Sequence, residues 1–228
     1  MRLRGLPASE GPVEVLKVDS SRPDRRTLDA AAEAVLRGGV IAFPTDTVYG
    51  LGCSLLDVAA VEMVGRLKRR ARDHAYISLI PDPSQALGLA LSVSGIAKRL
   101  IDRCWPGPLS LIFVAAEIVP PRVRGAGGTI ALRCPNDVLS HALLQRIGGP
   151  VVSSSANLSG QPPAATAEEV VVTFGNQLDL VLDGGPRTRG IPSTLVDVSG
   201  PRPKLLRRGA LDVTPWLGEF EDLTRERG

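Results

Sequence analysis

Apolar positions along the chain follow two rhythms. Short runs such as "VEVLKV", "VIAFP", "YISLI", "LSLIFVAA" and "TIALRCP" are continuous or alternating and rich in β-branched residues, which predicts strands. Between them, "TLDAAAEAVLRGG", "VAAVEMVGRLKRR", "SGIAKRLIDRCW" and "DVLSHALLQRIGG" repeat apolar residues three and four apart, the spacing of a helix with one buried face. The chain goes on through "VVSSSAN", a short helix near "TAEEVVVTF", and the strands "LVLDG", "STLVDVS" and "KLLRRG". Strand and helix in alternation predict an α/β fold, a twisted sheet flanked by helices. Three strands in close succession near the end predict antiparallel pairing there, and so a mixed sheet.

Local punctuation supports these elements. In the first helix Thr27 is the expected N-cap, Leu28, Ala31, Ala32 and Val35 share one face, and Gly38 and Gly39 close it. No repeat, linker or low-complexity tract divides the sequence, so a single domain over 1–228 is expected, with its core at about 12–212 and a loosely attached tail at 213–228.

Composition narrows the classes. The 228 residues are 43% hydrophobic, 22% charged and only 4% aromatic, which is globular but poor in rings for stacking bases. The formal charge of +3 is carried mainly by arginine, a residue suited to bidentate capture of carboxylate or phosphate. Cys53, Cys104 and Cys134 are odd in number and far apart, which fits neither a disulfide framework nor a zinc cluster. No apolar run approaches the roughly 18 residues of a membrane span, and the first residues lack a signal core, so a cytoplasmic protein with no membrane partner is expected.

Familiar catalytic signatures are missing. There is no Gly-Lys pair for a P-loop, no third glycine in "GLGCSL" or "GAGGTI" for a dinucleotide fingerprint, and no Gly-x-Ser-x-Gly elbow. Neither His74 nor His141 has a metal-ligand partner nearby in sequence, so no metal site is expected. What remains is a set of polar clusters at the ends of apolar runs: Thr45, Asp46, Thr47 and Tyr49 after "VIAFP", Arg133 after "TIAL", Ser155 and Asn157 after "VVSS", and Arg207 and Arg208 after "KLL". In open α/β sheets ligands sit in the crevice beyond strand ends, so these clusters are expected to line one cleft. Taken singly, each also reads as a turn, a helix cap or a surface ion pair, and the basic run Lys68, Arg69, Arg70 and Arg72 reads as a solvated helix end.

Taken together, "PTDTVYGLG", Lys68 and Arg70 as lysine-x-arginine, "WPGPLSLI", "TIALRCP", "SSSANLSGQP", "LDGG", "STLVDV" and "LLRRGA" resemble, in order, the YrdC-like (TsaC-type) threonylcarbamoyl-AMP synthase family. The resemblance implies a YrdC-like fold with a central basic cleft. It also implies a nucleotidyltransferase that joins L-threonine, bicarbonate or carbon dioxide, and ATP into L-threonylcarbamoyladenylate and pyrophosphate. That product feeds the N6-threonylcarbamoyl modification of tRNA adenosine by way of downstream threonylcarbamoyl-transfer proteins. By the family pattern Thr47, Arg133 and Ser153 contact threonine; Lys68 and Arg70 stabilise phosphate charge; Arg70, His74, Thr129, Ser155, Asn157, Ser193 and Arg207 serve ATP; and Mg²⁺ is held mainly by the phosphates. The chain departs from the family in one loop. Its usual Lys-Gly-Arg-Pro reads Lys68-Arg69-Arg70-Ala71 here, His74 stands where asparagine is common, and Pro163 replaces a common serine. That divergence makes a non-catalytic paralogue binding nucleotide or RNA the alternative expectation. The length also implies that the extra C-terminal domain of longer synthases is absent.

Overall fold

The computed structural model of the protein describes residues 12–69, 76–188, 190–213, 215, 218 and 220–226. Its strands are β1 (Val15–Lys17), β2 (Ile41–Pro44), β3 (Tyr49–Ser54), β4 (Ile77–Leu79), β5 (Leu109–Val114), β6 (Thr129–Arg133), β7 (Val151–Ser155), β8 (Leu180–Asp183), β9 (Thr194–Asp197), β10 (Lys204–Arg207) and β11 (Glu221–Asp222). They form one sheet in the order β1-β8-β2-β3-β7-β4-β6-β5-β9-β10-β11. Pairing is mixed: β2/β3, β3/β7, β4/β7, β5/β6 and β9/β10 are antiparallel, while β1/β8, β2/β8, β4/β6, β5/β9 and β10/β11 are parallel.

Helices cover both faces. On one side α2 (Val58–Leu67), α4 (Gly95–Cys104) and α6 (Ala167–Phe174) bury Val61, Val64, Leu100 and Val170 in the larger core, and the short α3 (Ala86–Leu89) adds Leu89. On the other, α1 (Arg25–Leu36) and α5 (Val138–Ile147) bury Leu28, Val35, Leu139 and Leu143 against Ile41, Phe43, Val151, Leu180 and Leu182. Strand β2 is apolar throughout because it is covered twice: Ile41 and Phe43 face α1 and α5, and Ala42 faces the larger core. This second layer stops short. Its buried residues come from the β1–β4 half of the sheet, and the same face over β6, β5, β9 and β10 is left for the cleft described below.

Several local expectations need correction. The N-cap of α1 is Asp24, whose carboxylate accepts the Thr27 amide, because Arg25 and Arg26 already have helical geometry. The segment "YGLGCS", given no element by the sequence pattern, is β3, the return strand of a hairpin with β2. Two glycines hid it: a Cβ on Gly52 would stand 2.6 Å from Phe43 Cε1, and one on Gly50 would stand 3.3 Å from Ser153 Oγ, so close approach is what this strand requires. Of the three late strands, only β9 and β10 pair with each other, whereas β8 joins β1 and β2 at the far side of the sheet. The tail does more than trail: β11 adds in parallel to β10, and Asp222 binds Arg208 at 2.6 Å. Among the described residues no helix is long and apolar enough to cross a membrane.

Candidate functional site

The β2–β3 hairpin turns through Thr45, Asp46, Thr47 and Val48. Thr45 closes the turn, donating its amide and its hydroxyl to the Val48 carbonyl at 3.0 and 2.7 Å and accepting the Thr47 amide at 3.2 Å. Tyr49 turns away: its fully buried ring sits in the core, and its hydroxyl donates to Gly185 O at 2.9 Å and accepts the Gly184 amide at 3.2 Å. Burial accordingly pushes its phenol up to about 12. All four residues that carry these oxygens border the cleft, but the Thr45 and Tyr49 hydroxyls are spent on the hairpin and its anchor.

The cleft holds about 630 Å³ and lies on one face of the sheet. Sheet register explains its lining. Ile77 and Leu79 of β4, Ala131 and Arg133 of β6, Ser153 and Ser155 of β7, Ile112 of β5, Leu195 of β9 and Arg207 of β10 all line it. The pairs from β4, β6 and β7 fall two apart, as period-two alternation requires, and Ser154 between the two serines also borders it. Cross-strand partners agree: Ile77 stands opposite both Ser153 and Ala131, Leu79 opposite Arg133, Ile112 opposite Ala131, and Arg207 opposite Leu195. The expectation of a crevice beyond the strand ends is therefore corrected. Neighbours β7 and β4 are antiparallel, so Ser155 and Arg133 end strands that point opposite ways and meet only across the sheet face.

This face brings together Thr47, Arg133, Ser153, Ser155, Ser193 and Arg207. Arg133 is buried, donates from Nε to Gly107 O at 3.0 Å, and presents its two terminal nitrogens to Asp46. Arg207 donates to Ser193 O at 3.1 and 2.9 Å and to Ser193 Oγ at 3.2 Å, and that hydroxyl meets Ser110 Oγ at 2.9 Å. Burial first, and the charge of Arg133 second, lower the pKa of Arg207, which records two cations facing one space.

Lys68 and Asn157 stand behind the lining. The ammonium of Lys68, 3% exposed, donates to the carbonyl of Ser155 and, at 3.0 Å each, to Asn157 O and Oδ1. Ser155 Oγ donates to the same Oδ1 at 2.5 Å, so Lys68 and Asn157 together fix the serine at the cleft edge. Thr129 opens β6 at the end remote from Arg133; its hydroxyl donates to Ala126 O at 3.0 Å, and it is not among the lining residues. Arg70 and His74, with the divergent loop they belong to, lie outside the described residues.

Reading the residues in sequence passed over three lining groups, Asp46 as a partner of Arg133, Asp137 and Ser140. The signal for Asp137 was present, as an N-cap just after "RCPN", but a cap has no visible direction in sequence. The charged groups among the described lining residues are Arg133, Arg207, Asp46 and Asp137.

Residues 33–209 match the profile of the Sua5_yciO_yrdC family, described as "Telomere recombination", and the chain belongs to this family. A threonylcarbamoyl-AMP synthase of Pyrococcus abyssi is 36% identical over 193 residues, which are 83% of this chain and 57% of that relative. One from Nitrosococcus oceani is 36% identical over 167 residues, 73% of this chain and 90% of the relative. The crystal structure of P. abyssi Sua5 complexed with L-threonine superposes with a TM-score of 0.85 at 33% identity, covering 91% of this chain and 62% of that one. The chain thus spans little more than half of the Pyrococcus relative and nearly all of the Nitrosococcus one.

Proposed function

We propose that this protein is a threonylcarbamoyl-AMP synthase acting on L-threonine, bicarbonate or carbon dioxide, and ATP. The observation that carries the reading is the convergence of Thr47, Arg133, Ser153, Ser155 and Arg207, drawn from distant parts of the chain, on one cleft of about 630 Å³. That volume falls within the range of small-ligand and cofactor pockets.

In this reading the Arg133 fork takes the threonine carboxylate, and the hydroxyls of Thr47 and Ser153 answer the substrate's own hydroxyl. Ser155, Ser193 and Arg207 face the nucleotide phosphates, with Lys68 and Asn157 holding Ser155 in place. The substrate nitrogen, once it has given up its proton, adds to carbon dioxide and loses a second proton to become a carbamate, or adds to bicarbonate with loss of water. A carbamate oxygen attacks the α-phosphorus of ATP, the bond to the β-phosphate oxygen breaks, and pyrophosphate leaves. The protein needs no covalent nucleophile for this. Its part is to align the two substrates and to stabilise the charge growing on the departing pyrophosphate. Mg²⁺, if bound with the triphosphate, would neutralise phosphate charge beside Arg207 and the Ser155 and Ser193 hydroxyls. A mixed anhydride of this kind is labile, so a transferase that accepts the threonylcarbamoyl group must consume it, and tRNA modification is the process the reading implies.

Purified protein given ATP, L-threonine and bicarbonate tests the reading. Pyrophosphate release that needs all three, with threonylcarbamoyladenylate detected by mass, is the expected result. ATP binding without threonine-dependent release points instead to a non-catalytic relative, and salt-sensitive RNA binding indifferent to threonine points to an RNA module.

A further inference from the structure

Beside Arg133 the cleft contains polar atoms to which the synthase reading gives no task. Asp137 caps α5, with Oδ1 accepting the Ser140 amide at 2.9 Å, while Oδ2 is buried and makes no hydrogen bond. Ser140, in the first turn of α5, is 1% exposed, and its Oγ also lacks a hydrogen bond. Both residues line the cleft. Burial raises the Asp137 pKa, against the pull of the Ser140 amide; the Ser140 hydroxyl also favours the carboxylate, though from outside hydrogen-bond geometry. Asp46 adds to the rise and Arg133 opposes it, so all three ionisable groups share one electrostatic neighbourhood.

Buried polar atoms are nearly always paired, and an unpaired pair at a cleft wall calls for a donor arriving with a ligand. The charges say which donor. Asp46 and Asp137 set two carboxylates against the one guanidinium of Arg133, so this group has room for a small cation with N–H groups, and the buried, unbonded Oδ2 of Asp137 is the acceptor open to it. An α-amino acid carries such a cation at a fixed short distance from its carboxylate. A guanidinium for the carboxylate with an acceptor four residues along the same loop is the complement of a zwitterion.

We propose that Asp137, supported by Ser140, is the subsite for the ammonium group of the amino-acid substrate, an inference that rests on the synthase reading. The subsite fixes the nitrogen on which carbamate forms and rejects carboxylic acids that lack it.

Calorimetric titration of the full chain with L-threonine and with 2,3-dihydroxybutanoate, which has a hydroxyl in place of the ammonium, tests this. Wild type is expected to prefer threonine by about tenfold or more, the worth of a hydrogen bond to a charged group. Asp137→Asn is expected to weaken threonine binding by about the same factor while leaving the analogue unchanged. Asp137→Ser, which keeps a capping oxygen, provides a second variant should the first unfold. Equal binding of the two ligands by wild type, or an unchanged threonine-to-analogue ratio in a folded variant, overturns the assignment. Wild type that binds no threonine, with or without ATP, overturns the synthase reading along with it, so the two failures are told apart.

Discussion

Arg133 and Asp46 close on each other across the cleft, with Nη2 2.6 Å from Oδ2 and Nη1 3.4 Å from Oδ1. The arginine side chain is 9% exposed and the aspartate 27%, and the remaining guanidinium nitrogen, Nε, is spent on Gly107 O. A carboxylate of the protein therefore sits where the synthase reading places the carboxylate of the substrate. The two compete for one fork.

Asp46→Asn tests the competition. Removing one partner of a mostly buried pair leaves a guanidinium short of an anion, so the ligand-free variant is expected to lose about 1–3 kcal/mol of stability. L-threonine then finds the fork free. Its stabilising effect in thermal unfolding is expected to be larger than in wild type. A smaller effect in the variant means that substrate does not exchange with Asp46.

Lys68 makes a different prediction. Its ammonium serves Ser155 O, Asn157 O and Asn157 Oδ1 from a position 3% exposed, so Lys68→Met leaves buried acceptors without a donor. A loss of about 2–5 kcal/mol in denaturant unfolding is expected, together with weaker ATP binding as Ser155 loosens. Lys68→Arg is not expected to restore it, because a planar fork does not suit three acceptors converging on one point. Wild-type stability in Lys68→Met would show that the ammonium is not holding this loop.

Which of these features could be read from sequence follows from how local each one is. The strand "VIAFP" and the helices around Val35, Val64 and Leu143 are visible because a buried face repeats within a few residues. Strand β3 is not, since Gly50 and Gly52 carry no pattern and owe their place to Phe43 and Ser153 across the sheet. Ser153 and Ser155 are legible as a pair on one strand face, but the face itself is not. It stays open because the apolar faces of α1 and α5 pack over the other half of the sheet. The link from Lys68 to Asn157 spans 89 positions, and nothing in either neighbourhood announces it.

The tail carries a pH prediction. Thr224 chiefly, and then Arg208, hold the Asp222 carboxyl down to about 2, from an ordinary value of 3.8. A depressed carboxyl stabilises the folded arrangement above its unfolded pKa, and the contribution disappears as pH falls from 3.8 towards 2. Backbone amides of residues 221–224 are expected to lose exchange protection across that window before the central strands do. Asp222→Asn is expected to show the unprotected behaviour at neutral pH. Protection unchanged in the variant would mean that β11 is held by its backbone pairing to β10 alone.

Side-chain selectivity is the sharpest consequence of placing Thr47 and Ser153 over the same space. Valine matches threonine in shape but leaves the two hydroxyls without their partner, which costs about 1–3 kcal/mol, or roughly five- to 150-fold in kcat/KM. Serine keeps the hydroxyl and lacks one methyl, worth about 0.8 kcal/mol, or roughly fourfold. Serine is therefore expected to be the harder competitor to reject. Thr47→Val is expected to narrow the gap between threonine and valine while moving the serine-to-threonine ratio little. Pyrophosphate release measured with each amino acid in turn decides it: if wild type uses valine as readily as serine, the hydroxyls over the cleft do not read the substrate side chain.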